Sequence, residues 1–252
     1  VMLAGGTYVA LSLAETGFAN PFRPDFATLL RVITEQRITS LILVPEYLNG
    51  LVTAMEISGV RLPLLTLVAV GGARISTELL ARAEAVGLPV RQGYGLTECA
   101  SVVSLENGSA GVRGSVGTSL GVNTIRLAED GEILLEGPLC LGAIGGDAPQ
   151  SPYATGDIGR IDEDGRLWIE GRKSNLIITS HGRNIAPEWV EGALLARPEI
   201  AQAMVFGDGE ATLGALVVPA RPGADIDGAV AAANATLPVY AQVAQVRMVA
   251  PF

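Results

Sequence analysis

Three short apolar runs, residues 39–44, 66–70 and 88–91, are each followed by a chain breaker: Pro45, Gly71-Gly72 and Gly93. Helical spacing fills the intervals between and before them. Phe26, Leu29, Leu30 and Ile33 repeat at one helix face, with Asp25 after Pro24 in the N-cap position. Residues 47–58 read as a second helix ending at Gly59, and residues 76–86 as a third, with Ser76 as cap and Gly87 as stop. Strands that alternate with helices in this way predict a parallel sheet covered on both faces. Ligands of such sheets sit beyond the carboxyl ends of the strands. Pro45, Gly71-Gly72 and Gly93-Tyr94 all fall there. Residues 7–12 read as one further strand.

Past residue 111 the helical spacing stops. Short alternating runs at 124–127, 132–135, 156–161 and 166–170, punctuated by Asp130-Gly131 and Asp164-Gly165, predict a small antiparallel β unit. Past Arg172 the pattern changes again. It gives a strand at 176–179, a helix at 187–196 with Pro187 in its first turn, strands at 201–206 and 213–219, a helix at 226–235 and a last strand at 243–249. The expected fold class is therefore α/β. A partial parallel sheet occupies residues 1–110 and a small antiparallel unit residues 111–171. A connection at 172–175 leads to a small α+β module at 176–252.

Composition removes several functional classes. A net charge of −9 opposes binding to a nucleic-acid backbone. It does not oppose a nucleotide, because Arg172, Lys173 and Arg183 form a local basic island. No run of eighteen apolar residues occurs, so no membrane-spanning helix is expected. The apolar first twelve residues carry Gly5-Gly6 and no basic leader, unlike a signal peptide. Cys99 and Cys140 lack metal-ligand spacing, which points to a reducing, cytoplasmic setting. The single histidine, His181, excludes a multi-histidine metal site, and no Gly-x-Ser-x-Gly turn accompanies it.

Two motifs frame the chemistry. Tyr153-Ala-Thr-Gly-Asp157 reads as a glycine-containing turn that presents a carboxylate, and Gly171-Arg-Lys-Ser-Asn-Leu176 follows it. Asp162-Glu-Asp-Gly165 lies between two apolar runs, so the intervening chain reads as a hairpin that returns towards Asp157 with Arg172. A carboxylate accepts from sugar hydroxyls and a guanidinium donates to anionic oxygens. Two more motifs precede them: Gly71-Gly-Ala-Arg74 and Gln92-Gly-Tyr-Gly-Leu-Thr-Glu98. Read singly, each has a plain structural meaning. Gly71-Gly72 can be a strand-to-helix turn, Thr97 a helix cap with Glu98 in solvent, and the hairpin a surface feature with solvated charges. Glu46 and Tyr47 can line a pocket or open the following helix.

In wording, order and spacing the four motifs, over nearly the whole chain, resemble the adenylate-forming enzymes: acyl-CoA synthetases, peptide-synthetase adenylation domains and luciferases. The wording Leu176-Ile-Ile-Thr-Ser and Arg183-Asn-Ile-Ala-Pro-Glu188 resembles the fatty acyl-CoA synthetase branch. The resemblance implies ATP, Mg²⁺ and CoA as co-substrates and cofactors, with a small-molecule carboxylic acid as substrate. It makes Gly71, Gly72 and Ala73 the adenine-facing segment, and gives Tyr94 a face for stacking on the base. Thr97 would meet a phosphate oxygen and Glu98 would hold Mg²⁺ on the nucleotide phosphates. Asp157 resembles the ribose-binding aspartate and Arg172 the arginine beside it. Residues 172–175 correspond to a hinge, where Ser174 departs from the usual Asp or Lys. Arg183 corresponds to a loop residue that reaches the active site in one domain orientation, and Ser180, His181 and Gly182 would line the thiol channel in another. Residues 111–171 would form a small β-barrel. Glu46 and Tyr47 stand where the acyl pocket begins.

The family's phosphate-binding loop and its late catalytic lysine have no counterpart here, since Lys173 is the one lysine. The expectation is therefore a segment of an ATP-dependent carboxylate–CoA ligase, inactive by itself. Two other readings stand beside it: an adenylation domain that loads a carrier-protein thiol, and a non-catalytic homologue that binds nucleotide.

Overall fold

The computed structural model describes residues 5–20, 23–73, 75–107, 114–142 and 144–252. The chain divides into two compact units: Val1–Ala73 with Leu79–Arg91, and Arg74–Glu78 with Gln92–Phe252.

The first unit follows the alternation of its sequence. Helix α1 (Phe26–Glu35) starts at Asp25, whose carboxylate accepts from the Ala27 and Thr28 N–H groups. Strand β1 (Ser40–Leu43) runs parallel to β2 (Leu67–Val70), pairing Ser40 with Leu67 and Leu43 with Val70. Helix α2 (Pro45–Ser58) links them. It begins two residues earlier than its hydrophobic spacing indicates, because Pro45 is suited to the first helical turn. It stops at Gly59, which takes the left-handed conformation and donates its N–H to the Met55 carbonyl. Leu48, Leu51, Val52 and Met55 are fully buried on its inner face. Helix α3 spans Thr77–Ala85. Its Arg82 reaches α2, pairing with Glu56 at 2.7 Å and bonding Asn49 and Thr53. Residues 7–12 pair with no other strand among the described residues. They run into a turn where Ser12 and Glu15 bond each other, and Tyr8 is exposed, so the apolar run alone does not make a strand.

Strand β3 (Val90–Tyr94) begins in the first unit and ends in the second, starting two and stopping three residues later than its apolar run. In the second unit it continues antiparallel to β4 (Ser104–Leu105), which pairs with β5 (Thr118–Ser119). Four strands form a sequential antiparallel sheet: β6 (Thr124–Leu127), β7 (Glu132–Glu136), β8 (Tyr153–Ile161) and β9 (Leu167–Arg172). Ile133, Leu135, Leu167, Cys99 and Val103 form its buried core. A short ribbon, β10 (Ile177–Ile178) with β11 (Asn184–Ile185), follows. The chain ends in helix α4 (Pro187–Leu195), β12 (Ile200–Phe206), β13 (Leu213–Pro219), helix α5 (Ile226–Asn234) and β14 (Val243–Met248). Strand β13 pairs antiparallel with β12 and parallel with β14, the parallel step being bridged by α5. Val190, Leu194, Val205, Ala215, Val217 and Ala233 fill one core between helices and sheet. The fold is α/β, with the parallel pairs β1–β2 and β13–β14 and further antiparallel pairings. The expected boundary at residues 110–111 lies outside the described residues. No helix among the described residues is long and apolar enough to cross a membrane.

Candidate functional site

Asp157 and Arg172 are register partners across the β8–β9 hairpin. The turn is built by Asp162. Its Oδ1 accepts from the Asp164 and Arg166 N–H groups, and its Oδ2 from the Trp168 indole at 2.9 Å. The segment expected as a turn, residues 153–157, is instead the first half of β8. Between Ala154 and Ile158 it carries more residues than its partner β7 has opposite, so it bulges. Gly156 sits in that bulge with φ +76°, a conformation that costs a side-chain-bearing residue and not glycine. The bulge leaves Asp157 without a partner on β7 while it keeps its pairing with Arg172 on β9.

Asp157 then meets a residue far away in sequence. The Tyr94 hydroxyl donates to its Oδ2 at 2.7 Å, while Arg172 Nη1 lies 3.6 Å from Oδ1. The Asp157 side chain is 14% exposed and that of Arg172 is 58% exposed, so the carboxylate is fixed in place and the guanidinium stays open to solvent. Burial, with the Asp157 carboxylate beside it, pushes the Tyr94 hydroxyl well above the usual tyrosine range. The phenol therefore remains a hydrogen-bond donor. Thr155 supports the group: its hydroxyl donates to the Ile133 carbonyl at 2.8 Å and accepts the Asp157 N–H at 3.1 Å.

Tyr94 ends β3, and the chain then makes a tight reversal. A Cβ at Gly95 would overlap the Ser101 carbonyl, so only glycine fits. Thr97–Cys99 forms one turn of 3-10 helix. Leu96 stands before it and gives no side-chain cap, so Thr97 is inside the turn rather than its cap. Thr97 is exposed and Glu98 half-buried. The Glu98 carbonyl accepts the Cys140 N–H at 2.7 Å, which ties this turn to the loop after β7. Cys99 is packed in the core, and burial raises its thiol pKa.

The other expected site residues have contacts of their own. Gly71–Ala73 follows β2 in the first unit, where the Gly71 N–H donates to the Leu43 carbonyl at 3.3 Å. Arg74 lies outside the described residues. Arg183 lies on the β10–β11 turn, 5.5 Å from the centre of the Tyr240 ring, with its N–H on Thr179 Oγ1. Exposed His181 shares that turn. Tyr47 packs edge-on against Phe18 with ring centres 4.8 Å apart, and Glu46 stands in the first turn of α2, so both have structural duties there.

The basic island needs correction. Lys173 Nζ lies 2.5 Å from Asp130 Oδ2 and 2.8 Å from Glu132 Oε2. Arg172 faces Asp157, and Arg183 faces Tyr240. Neighbours in sequence need not point the same way, and paired carboxylates cancel most of the local positive charge. Sequence reasoning also passed over Thr155 and Glu132. Thr155 stands inside the Tyr153–Asp157 motif and Glu132 in a short apolar run, but each works through a contact with a distant strand that no local signal names.

The chain resembles known proteins in sequence and in fold. The profile of the AMP-binding enzyme family matches residues 3–144, and that of the AMP-binding enzyme C-terminal domain matches residues 174–251. The long-chain-fatty-acid–CoA ligase FadD15 of Mycobacterium tuberculosis is 36% identical over 154 residues, covering 58% of this chain and 26% of the relative. The indoleacetate–CoA ligase of Aromatoleum aromaticum is 30% identical over 231 residues, covering 84% of this chain and 45% of the relative. Among solved structures, the O-succinylbenzoate coenzyme A synthetase (MenE) of Bacillus subtilis in complex with AMP superposes with a TM-score of 0.74 at 27% identity, covering 90% of this chain and 50% of that one. The chain thus spans half or less of the length of these relatives. With the first profile matched over more than half of its residues, the chain belongs to the AMP-binding enzyme family.

Proposed function

We propose that this chain is the nucleotide-holding portion of an AMP-forming carboxylate–CoA ligase. The observation that supports it most is the Tyr94–Asp157–Arg172 group: a fixed carboxylate, with lone pairs left over, beside an exposed guanidinium. Asp157 would accept from the two ribose hydroxyls. Arg172 would donate to ribose and to the α-phosphate, as suits an open fork of N–H donors. The Tyr94 ring would face the adenine. Thr97 would donate to a phosphate oxygen.

The reaction couples two displacements. The substrate carboxylate attacks the α-phosphorus of ATP and pyrophosphate leaves, giving an acyl-adenylate. The CoA thiol then attacks the acyl carbonyl and AMP leaves. Arg172 would offset charge at the α-phosphate in both steps, and Arg183 would approach it in one orientation of the residue 176–252 module. Glu98 is a half-buried carboxylate next to Thr97, a hard oxygen donor of the kind Mg²⁺ takes. No three His, Cys, Asp or Glu side chains gather into a metal site among the described residues. Mg²⁺ at Glu98 would therefore take its remaining ligands from phosphates and water, and would supply charge neutralisation on the polyphosphate. Residues 172–175 would be the hinge between the β unit at 111–171 and the C-terminal module. Two free cysteines and dependence on ATP suit the cytoplasm.

The first test is calorimetric titration of the 252-residue chain with AMP. Binding in the wild type, and its loss in Asp157→Ala, is the expected result. Equal affinity in both would leave the hairpin a surface feature. The acceptor is settled by giving the natural polypeptide ATP, carboxylic acids and either CoA or a phosphopantetheinylated carrier protein. Acylation of CoA is expected, whereas acylation of the carrier alone would favour an adenylation domain.

A further inference from the structure

Glu132 holds two different parts of the molecule with one carboxylate. Its Oε1 accepts the Gly156 N–H at 2.9 Å, in the bulge directly before Asp157. Its Oε2 accepts from Lys173 Nζ at 2.8 Å, directly after Arg172. The Glu132 side chain is 14% exposed, while Lys173 and Asp130 are each about half exposed. An ion pair on an open surface contributes little to stability, so the Asp130 contact is a minor part of the arrangement. Glu132 differs. It is mostly buried, and its oxygens meet a backbone amide and an ammonium.

Lys173 opens the one-turn 3-10 segment Lys173–Asn175. The other end of that segment is anchored too: Asn175 Nδ2 donates to Glu188 Oε1 at 2.7 Å, in the first turn of α4. A rotation of this connection larger than the Lys173 side chain can follow would carry Nζ away from Glu132. The carboxylate would then keep a single partner, the Gly156 amide, and would reorient towards water. The bulge that aims Asp157 would lose its fixed support.

We propose that Glu132 is a positioning residue that couples occupancy of the Asp157 site to the conformation of the 173–175 connection, with Lys173 as its counter-charge. The inference rests on the nucleotide reading of Asp157. Coupling of this sort is reciprocal: a nucleotide that orders the Asp157 bulge must also order the connection, and releasing the connection must weaken nucleotide binding.

The test is hydrogen exchange of the 252-residue chain, read by mass spectrometry with and without saturating AMP. In the wild type, AMP should slow exchange in peptides covering residues 155–158 and also in those covering 174–177. Glu132→Gln keeps an oxygen for Gly156 and removes the buried one of the two carboxylates that face Lys173, leaving only the exposed Asp130. There AMP should still protect 155–158 but no longer 174–177, and its affinity should fall severalfold. Lys173→Met should behave alike, and Lys173→Arg should restore the wild-type pattern, which a loss of general stability would not do. Undiminished protection of 174–177 in Glu132→Gln would overturn the coupling. If AMP protects neither segment in the wild type, the nucleotide reading fails instead. The ligand-free proteins then decide the bridge: Lys173→Met must speed exchange at 155–158 as well as at 174–177, and unchanged exchange at 155–158 would overturn it.

Discussion

The Tyr94 hydroxyl donates to one Asp157 carboxylate oxygen, and the Arg172 guanidinium forms an ion pair with the other at 3.6 Å, the tyrosine coming from a distant segment and the arginine from the facing strand of the hairpin. Removing the acceptor and removing its tyrosine donor should have distinct effects. Asp157→Ala deletes a charged acceptor, an interaction of roughly 1.5–3 kcal/mol. AMP affinity should accordingly fall about tenfold or more. Tyr94→Phe keeps the ring and deletes the donor, leaving Oδ2 without its partner. The carboxylate becomes less fixed but stays in place, so AMP affinity should fall less than in Asp157→Ala. Calorimetry on both variants checks the order, and a larger loss in Tyr94→Phe would mean that the hydroxyl itself meets the nucleotide.

At the scale of elements, two local devices hold this group in position. The first is the reversal after β3, where a side chain at residue 95 meets the Ser101 backbone. Backbone cannot swing aside as a side chain can, so Gly95→Ala should destabilise by about 1–3 kcal/mol, the usual range for overpacking. A lowered thermal midpoint would show it, and an unchanged midpoint would mean that the reversal is loose. The second device is Asp162 in the β8–β9 turn. The Trp168 indole, then the Arg166 and Asp164 amides, hold its carboxyl below the ordinary value of 3.8. A depressed carboxylate contributes stability above its unfolded value, and that contribution disappears as pH falls through the folded value. Thermal midpoints should therefore drop more steeply below about pH 4 in the wild type than in Asp162→Asn. Parallel curves would remove Asp162 from the account.

At the scale of the whole molecule, the C-terminal module has a core of its own. Every buried member of that cluster lies between Ile177 and Val243, with two helices and a three-stranded sheet to enclose it. A chain of this size can fold alone, though with a small margin. Residues 176–252 expressed separately should give a cooperative thermal transition and a dispersed amide spectrum. A featureless spectrum would mean that the module depends on the rest of the chain, and that the proposed division at 172–175 is not a division of stability.

Much of this was legible from residues in a row. Asp25 as a helix cap, Gly59 as a stop and the strands β1 and β2 follow from signals that act within a few residues: a side chain that reaches the next amides, a backbone that tolerates positive φ, an apolar run long enough for a strand. That β1 is an exposed edge strand among the described residues, with Ile42 87% exposed, no local signal told. The hairpin that brings Arg172 to Asp157 was legible too, since a turn between two apolar runs fixes a register. Other features depended on partners that no local signal names. Residues 7–12 have the apolar character of a strand and find no ladder among the described residues. Residues 153–157 have the glycine of a turn, yet pair with β7 and become a bulged strand. Lys173 looks like part of a basic island, until tertiary folding sets it against Asp130 and Glu132, more than forty residues away in sequence. Sequence determines what each short segment can do. Only the packed chain decides which donor meets which acceptor, because that depends on distance in space and on which carboxylates are shielded from water.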